Sequence, residues 1–480
     1  MRMAQVKSEL RYVATRAKRT FNQTAPKPAK DLARRAVRHF RDHRTVRFTS
    51  EATYPAVKPG SPLSTPQAPP HLNLRVGCIL DEFSYQAWSP EFELLPINPG
   101  QYDLDFLKSL DFLLVESAWS GNQGAWKYQL VGQNAPSQEL QNLVNACKQV
   151  GVPTLFWNKE DPPHFDDFLK TATLFDFIAT SDANRIPHYQ KLVPTTPVFT
   201  LPFAAQPNVQ NPARNGLAHL GGNIAFAGTY FREKFPERRN QMDLLLGAAH
   251  SVSQSYGLRF EIFSRHAGGE DKYQFPSKWT GNVSGSLPYS QMLAAYRCFD
   301  VFLNVNSVVD SPSMCARRIF EIAASGTPVV TTESKALRHF FSSEEVISVN
   351  ETSQAEHTLR ALVASEMLRR RTAHVALRRV WENHTYRVRA QLIARNLGLE
   401  QQDHALPKVT IICSTNRDRE LSHLLQQAAG QSFKNLELCV IGHGIEIDPA
   451  FTNRAMQEGL KARVFSAPAE ACLLYTSPSP

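Results

Sequence analysis

Within the segment SPSMCARRIFEIAASGTPVVTT, residues 311–332, a guanidinium and a carboxylate stand three positions apart as Arg318 and Glu321. On a helix that spacing sets them one turn apart on one face, while Ile319, Phe320, Ile322 and Ala323 supply the buried side. Gly326 and Thr327 then make a tight turn, and Pro328 opens a strand where backbone can approach a ligand closely. A carboxylate held this way can accept both hydroxyls of a ribose, and a guanidinium can fork onto a phosphate. A second basic group follows Gly228: Arg232, Lys234, Arg238 and Arg239. Glycine there leaves room for a phosphate, and the cations can offset the charge of a departing diphosphate. Arg238 and Arg239 suit a solvated helix face equally well.

A third cluster, NKEDPPHF, brings Lys159, Glu160, Asp161 and His164 together after an apolar run, with Pro162 and Pro163 stiffening the loop. A general base needs a carboxylate or imidazole facing a cleft, and Glu160, Asp161 and His164 are three candidates. Asp81, Glu82 and Glu116 follow other strands and, with this cluster, mark the acceptor side; each also reads as a cap or a loop hydrogen bond. Asp166 and Asp167 fall within a helix pattern and read as a solvated face, so no metal is expected. The seven cysteines form no C-x-x-C pair and have no histidine at zinc spacing, which points to reduced, buried thiols. No G-x-G-x-x-G, Walker loop or G-x-S-x-G occurs, which removes the marks of dinucleotide oxidoreductases, NTPases and α/β-hydrolases.

These residues need a scaffold, and 480 positions allow two to four folded units. From residue 72 onward, short apolar runs alternate with helical stretches, the pattern of βαβ units and parallel sheets. Strands are expected at 74–80, 111–117, 151–161, 175–182 and 197–205, with a helix at 137–150, making a first Rossmann-like lobe over 72–210. A second lobe over 211–400 follows, with strands at 223–231, 258–266, 300–306 and 327–332, helices to about 255, at 289–297 and near 315–325, and a long basic helical stretch at 353–397. Each strand ends in polar residues, where open α/β sheets place ligands, so the lobes are expected to face a central cleft. A third, incomplete Rossmann-like series is expected over 406–471, with a helix at 417–431. Residues 51–71, with six prolines from Pro55 to Pro70, read as an extended linker. Residues 472–480, CLLYTSPSP, fit no element and read as a non-native tail.

The Arg318-Ile319-Phe320-Glu321 helix and the Ser325-Gly326-Thr327-Pro328 turn resemble the donor site of two-lobed (GT-B) glycosyltransferases, in particular the group-1-like family that includes the CgeB spore-maturation proteins. FWNKEDPPHF (156–165), FAGTYF (226–231), GSLPY (285–289) and FLNVN (302–306) resemble the same family, over about residues 72–397. The resemblance implies that Glu321 binds the ribose and that the donor side includes Gly228, Tyr230, Arg232, Lys234, Arg265, Asn304, Asn306, Ser313, Arg318, Gly326 and Thr327, with no divalent metal or other cofactor. The broader group often has an acidic residue where this chain has Ser313, so the anomeric outcome stays open. KVTIICSTNRD and the Gln431-Ser432-Phe433 step resemble the opening of family 2 (GT-A) glycosyltransferases. The metal-binding motif and base of that family would fall beyond this segment.

The expected function is transfer of a sugar from a nucleotide diphosphate donor to a cell-surface polysaccharide, glycoconjugate or lipid-linked acceptor. A nucleotide-sugar epimerase and a non-catalytic sugar- or polymer-binding scaffold are the alternatives. No apolar run reaches membrane-spanning length and no signal-peptide pattern follows the N-terminus, so the expected location is the cytoplasm. Residues 1–50 hold fourteen Lys or Arg against three acids, a charge of +11, and read as a short-helical basic extension. This extension reads as a solvated tail or as an attachment to an anionic membrane surface. Nucleic acid is disfavoured, because stacking aromatics are few.

Overall fold

The structure, a computed structural model, describes residues 54–65, 69–132, 135–399 and 408–468. The basic extension at 1–50 and the tail at 472–480 lie outside the described residues. The chain divides into two units at Glu400 and Gln401.

The first unit carries two parallel six-stranded sheets. The first sheet forms from β1 (Arg75–Ile79), α1 (Glu82–Trp88), β2 (Glu93–Pro96), α2 (Leu104–Lys108), β3 (Phe112–Glu116), α3 (Gln138–Gln149), β4 (Thr154–Asn158), α4 (Phe165–Ala172), β5 (Phe177–Thr180), α5 (Ile186–Leu192) and β6 (Val198–Thr200). Its strand order is β2-β1-β3-β4-β5-β6. The central strands FLLVE and TLFWN are buried throughout, as strands covered on both faces must be. Helix α3 begins where the Ser137 hydroxyl accepts the Leu140 amide, and it buries Leu140, Leu143, Val144 and Cys147, one helical stripe.

The second sheet forms from β7 (Gly222–Ala227), α6 (Pro236–Tyr256), β8 (Phe260–Phe263), β9 (Val283–Gly285), α7 (Tyr289–Ala295), β10 (Phe299–Asn304), α8 (Arg317–Ala324), β11 (Val329–Thr331), α9 (Lys335–Phe340) and β12 (Ile347–Ser348). Its order is β12-β11-β10-β7-β8-β9, the doubly wound order of dinucleotide-binding sheets. In the first sheet the chain reverses direction between β1 and β3, in the second between β7 and β10. Crevices at the carboxyl ends of such strand pairs are where this architecture binds ligands.

Three features add detail to the expected organisation. The basic stretch at 353–397 is three helices, α10 (Thr352–Ala364), α11 (Glu366–Asn383) and α12 (Tyr386–Asn396). Ser365 and Thr385 break it, each accepting the amide three residues on as an N-cap. The last helix of the second lobe, α12, returns to the first lobe. Tyr386 donates its amide to the Ala205 carbonyl, Arg389 reaches the Pro202 and Phe203 carbonyls, and the Tyr386 ring meets Trp88 edge-on at 4.7 Å. Residues 54–65 are not a free linker. Tyr54, Val57 and Leu63 are buried, Tyr54 packs on Phe263, and the Leu63 carbonyl accepts Arg297. These residues strap the second lobe before the chain enters the first, and one apolar core runs through both lobes. Six cysteines are described and all are free thiols, four of them buried. Among the described residues, no helix is long and apolar enough to cross a membrane.

The second unit is a parallel three-stranded sheet, β13 (Val409–Thr415), β14 (Leu436–His443) and β15 (Lys461–Ala467), in that order, with α13 (Glu420–Ala429) and α14 (Ala450–Gln457). Its core is Leu421, Leu425, Leu438, Val440 and Phe451.

Candidate functional site

Helix α8 descends from the carboxyl edge of the second sheet, and the first residues of its buried stripe set the site's charges. Glu321 is 1% exposed and both its oxygens are taken. Oε1 accepts the Tyr289 hydroxyl at 2.7 Å and the Gln210 amide at 3.2 Å, and Oε2 accepts the Tyr296 hydroxyl at 3.2 Å. Its ionic partner is Arg317, one turn earlier at 3.4 Å, rather than Arg318. Burial works against charge on the Arg317 guanidinium, but Glu321 more than offsets it and holds the pKa above the ordinary value. Burial, then the adjacent Glu321 charge, pushes the Tyr289 hydroxyl well up, so it remains a donor. Arg318 instead donates from Nε to the Tyr296 hydroxyl. Glu321 thus reaches Arg318 through the Tyr296 hydroxyl. The i,i+4 spacing of Arg317 and Glu321 is the sequence signal for this pairing, which the i,i+3 reading passes over.

Several expected donor residues lie elsewhere. Gly326 and Thr327 occupy the αβ turn at the amino edge of the sheet, the end opposite the crevice. Gly326 has φ of 71°, which glycine alone adopts without strain, and a Cβ there would meet Pro212 at 2.9 Å. The Thr327 hydroxyl donates to the Tyr296 carbonyl at 2.6 Å, so this turn is held at the edge away from the crevice. Ser313 joins the lobes, donating to the Ser181 carbonyl at 2.9 Å and accepting the Ala183 amide at 2.8 Å. Asn304 ends β10 and Asn306 lies just beyond it, in a network with Thr331, Thr332 and Gln241. Tyr230 packs into the core against Phe275 and Trp279. Arg232 and Lys234 lie on the loop after Gly228, where Arg232 donates to the Gln274 carbonyl and Lys234 is exposed.

What the crevice gathers is arginine. Arg238 follows β7, Arg265 follows β8, and Arg318 opens α8 after β10. Burial first, then Arg318 and Arg265, push the Arg238 guanidinium down to about 10. Lost hydration, then Arg318 and Arg317, lower Arg265 as well. Three mutually repelling guanidinium groups therefore share one region. Arg238 donates to the Ser307 hydroxyl, and its buried Nε has no partner. None of the three forms an ion pair with a carboxylate among the described residues. Gly228 stands beside Arg238, since a Cβ there would lie 3.4 Å from its Nη2 and 2.8 Å from the Phe226 ring. Like charges held together without an ion pair can accommodate an anion with spread charge, such as a diphosphate.

The first lobe turns its own switch point to this region. Lys159 donates to Asp81 Oδ2 at 2.9 Å and to Glu116 Oε1 at 2.8 Å. Burial raises the Asp81 pKa, but Lys159 and the Gly121 and Ser120 amides outweigh it and leave it lowered; burial keeps Glu116 raised despite Lys159. Both carboxylates are thus committed to Lys159, and Glu116 is fully buried rather than open to an acceptor. The Phe83 ring lies between Lys159 at 4.3 Å and Arg317 at 4.1 Å, joining the two switch points. Glu82 is an exposed first-turn residue of α1, bonded to Gln86.

Among the base candidates, Asp161 departs from expectation. It is fully buried and accepts Asn158, Thr180 and Tyr189, so it braces the loop instead of facing the cleft. His164 is held by Asp167 at 2.7 Å on α4. Glu160 is half-buried, its carboxylate makes no hydrogen bond among the described residues, and its charge acts on Arg265 across the cleft. No group of three or more His, Cys, Asp or Glu that could hold a metal occurs among the described residues.

Burial pushes the Asp161 carboxyl up to about 7, against the opposing hydrogen bonds of Thr180 and Tyr189. The unfolded chain releases that proton near pH 4 and the folded chain near pH 7, so this group stabilises the fold fully below pH 4 and its contribution is lost as pH rises through 7. The shift corresponds to about 4 kcal/mol at most. The neutral amide of Asp161→Asn should flatten the change in urea midpoint between about pH 4 and pH 7. A variant with the wild-type pH slope would show that another group carries it.

Residues 239–395 match the sequence profile of a family described as glycosyl transferase-like. No curated protein sequence matches the chain significantly. Among solved structures the chain is similar to the T4 phage protein BGT bound to its UDP-glucose substrate, at 11% identity over 68% of this chain and 100% of that one, with a TM-score of 0.42. It is also similar to HepE of Anabaena in complex with UDP-glucose, at 14% identity over 68% and 91% of the two chains and a TM-score of 0.43. The sucrose-phosphate synthase of Thermosynechococcus elongatus is 10% identical over 71% and 86%, with a TM-score of 0.39.

Proposed function

We propose that residues 54–399 form a glycosyltransferase of the two-lobed type that takes a sugar from a nucleoside diphosphate donor and delivers it to a glycan or glycoconjugate acceptor. The observation that carries this reading is the Arg238, Arg265 and Arg318 cluster, three guanidinium groups without carboxylate partners among the described residues, at the switch point of the second sheet. The glycosyl transferase-like match over 239–395 supports it independently. In the reaction, an acceptor hydroxyl attacks the anomeric carbon and the bond from that carbon to the diphosphate oxygen breaks. The hydroxyl proton passes to Glu160, and the negative charge gathering on the leaving diphosphate is stabilised by the arginines, which need no reorganisation to meet it. Contact between the lobes through Phe83 and Ser313 excludes water, the competing acceptor. The +11 charge of residues 1–50 suits an anionic surface carrying a lipid-linked acceptor.

The test is a panel of UDP-, GDP-, CDP- and dTDP-sugars incubated with the full chain. A transferase releases free nucleoside diphosphate by slow hydrolysis without acceptor. A changed sugar without release would instead identify an epimerase, and neither outcome would leave a binding scaffold. Arg318→Ala should reduce kcat/KM for the active donor by about 100-fold, the scale of losing one charge-assisted contact to transition-state charge. Unchanged kinetics in that variant would remove the arginine cluster from the donor site.

A further inference from the structure

The second sheet has a cavity of about 380 Å³ at its amino edge, the end away from the crevice. It opens between the residues preceding β10 and β11, the segment that links the lobes, and the first turns of α11. Four guanidinium groups line it, Arg214, Arg297, Arg369 and Arg370, against two carboxylates, Asp300 and Glu366. The carboxylates are spoken for: Asp300 pairs with Arg369 at 3.1 Å and Glu366 with Arg370 at 2.9 Å. Arg214 and Arg297 are held only by neutral acceptors. Arg214 donates to the Arg297 carbonyl at 2.9 Å and to the Gly326 carbonyl at 2.8 Å. Arg297 is 2% exposed, reaches the Leu63, Ala213 and Val209 carbonyls, and leaves its buried Nε without a partner. Carbonyls orient a guanidinium but leave its charge in place, so the cavity keeps an excess of two positive charges. Lost hydration and then the neighbouring Arg370 lower the Arg214 pKa, which places these cations within reach of each other.

Leu217, Pro328 and Ala373 give the same cavity an apolar wall. A phosphomonoester carries a charge of about −1.5 to −2 near neutral pH, which matches the excess. A sugar ring presents a C–H face to such a wall, and the volume falls in the range of small-molecule pockets, roughly 300–1,000 Å³.

We propose that this cavity is a second binding site, for a phosphorylated carbohydrate, with the phosphate on Arg214 and Arg370 and the ring against the apolar wall. The site is separate from the donor crevice, and its occupancy does not depend on the proposed transfer reaction. Calorimetric titration of the full chain with mannose 6-phosphate, inorganic phosphate and mannose tests it. Mannose 6-phosphate should bind, phosphate more weakly, and unphosphorylated mannose not at all. Arg370→Glu alters an exposed side chain and should weaken binding at least about tenfold with unchanged circular dichroism, and Arg214→Gln should do the same. Arg318→Ala, in the crevice, should bind the ligand as the wild type does. No binding by the wild-type chain, or binding lost in Arg318→Ala and retained in Arg370→Glu, would overturn the assignment.

Discussion

Replacing Glu321 with alanine should destabilise the first unit by about 3–5 kcal/mol, the scale of breaking a buried ion pair from one side. Four donors converge on this carboxylate: Tyr289, Tyr296, Gln210 and Arg317. Alanine removes this shared acceptor from all four, and Gln210 keeps the Tyr289 hydroxyl as another. The loss falls most heavily on Arg317, whose charge burial already disfavours. Urea denaturation measures the effect directly. The double variant Arg317→Met, Glu321→Ala removes the orphaned cation as well and should recover part of the loss, because an apolar pair often replaces a buried ionic pair at little net cost. A double variant no more stable than Glu321→Ala would show that the tyrosines, not the ion pair, depend on Glu321. The link to the donor runs through Tyr296, whose hydroxyl joins Glu321 to Arg318. Tyr296→Phe keeps the ring and removes that link, so it should raise the donor KM by loosening Arg318 and cost far less stability than Glu321→Ala.

Continuous apolar runs between helical stretches fit buried parallel strands and little else, so the central strands are legible in the sequence. The short edge strands β2, β9 and β12 are not, since runs such as ELLP and VSG carry no pattern of their own and pair only because a sheet edge is there. Helical spacing finds Arg318 and Glu321, but spacing alone does not choose between i,i+3 and i,i+4 partners, and packing selects Arg317. The Gly326-Thr327 turn falls outside the crevice for a topological reason. A helix that follows a parallel strand runs back to the sheet's starting edge, so its αβ turn lies away from the ligand end. Asp161 and Glu160 are adjacent in sequence and opposite in environment, a difference set by Tyr189 and Thr180 from elements further along the chain. The prolines between 55 and 70 hide the strap, because Tyr54, Val57 and Leu63 find their partners only in a lobe that begins some 150 residues later.

Glu160 carries the other large effect. With Asp161 enclosed and His164 held by Asp167, it is the carboxylate of its loop that stays half-buried without a hydrogen-bond partner among the described residues. Its backbone amide is fixed by Ser117 Oγ and Asn158 Oδ1, so the loop is held while the carboxylate is not committed. The Arg265 guanidinium across the cleft feels the charge of Glu160. Glu160→Gln keeps the shape and removes the proton acceptor, and should lower kcat by about 10²–10⁴-fold while leaving donor affinity near wild type. Donor hydrolysis and donor binding measured side by side decide between chemistry and geometry. A fall in kcat with constant affinity supports the base. A fall in affinity with kcat preserved would mean that Glu160 only orients Arg265, and the proton would then have to leave by another route.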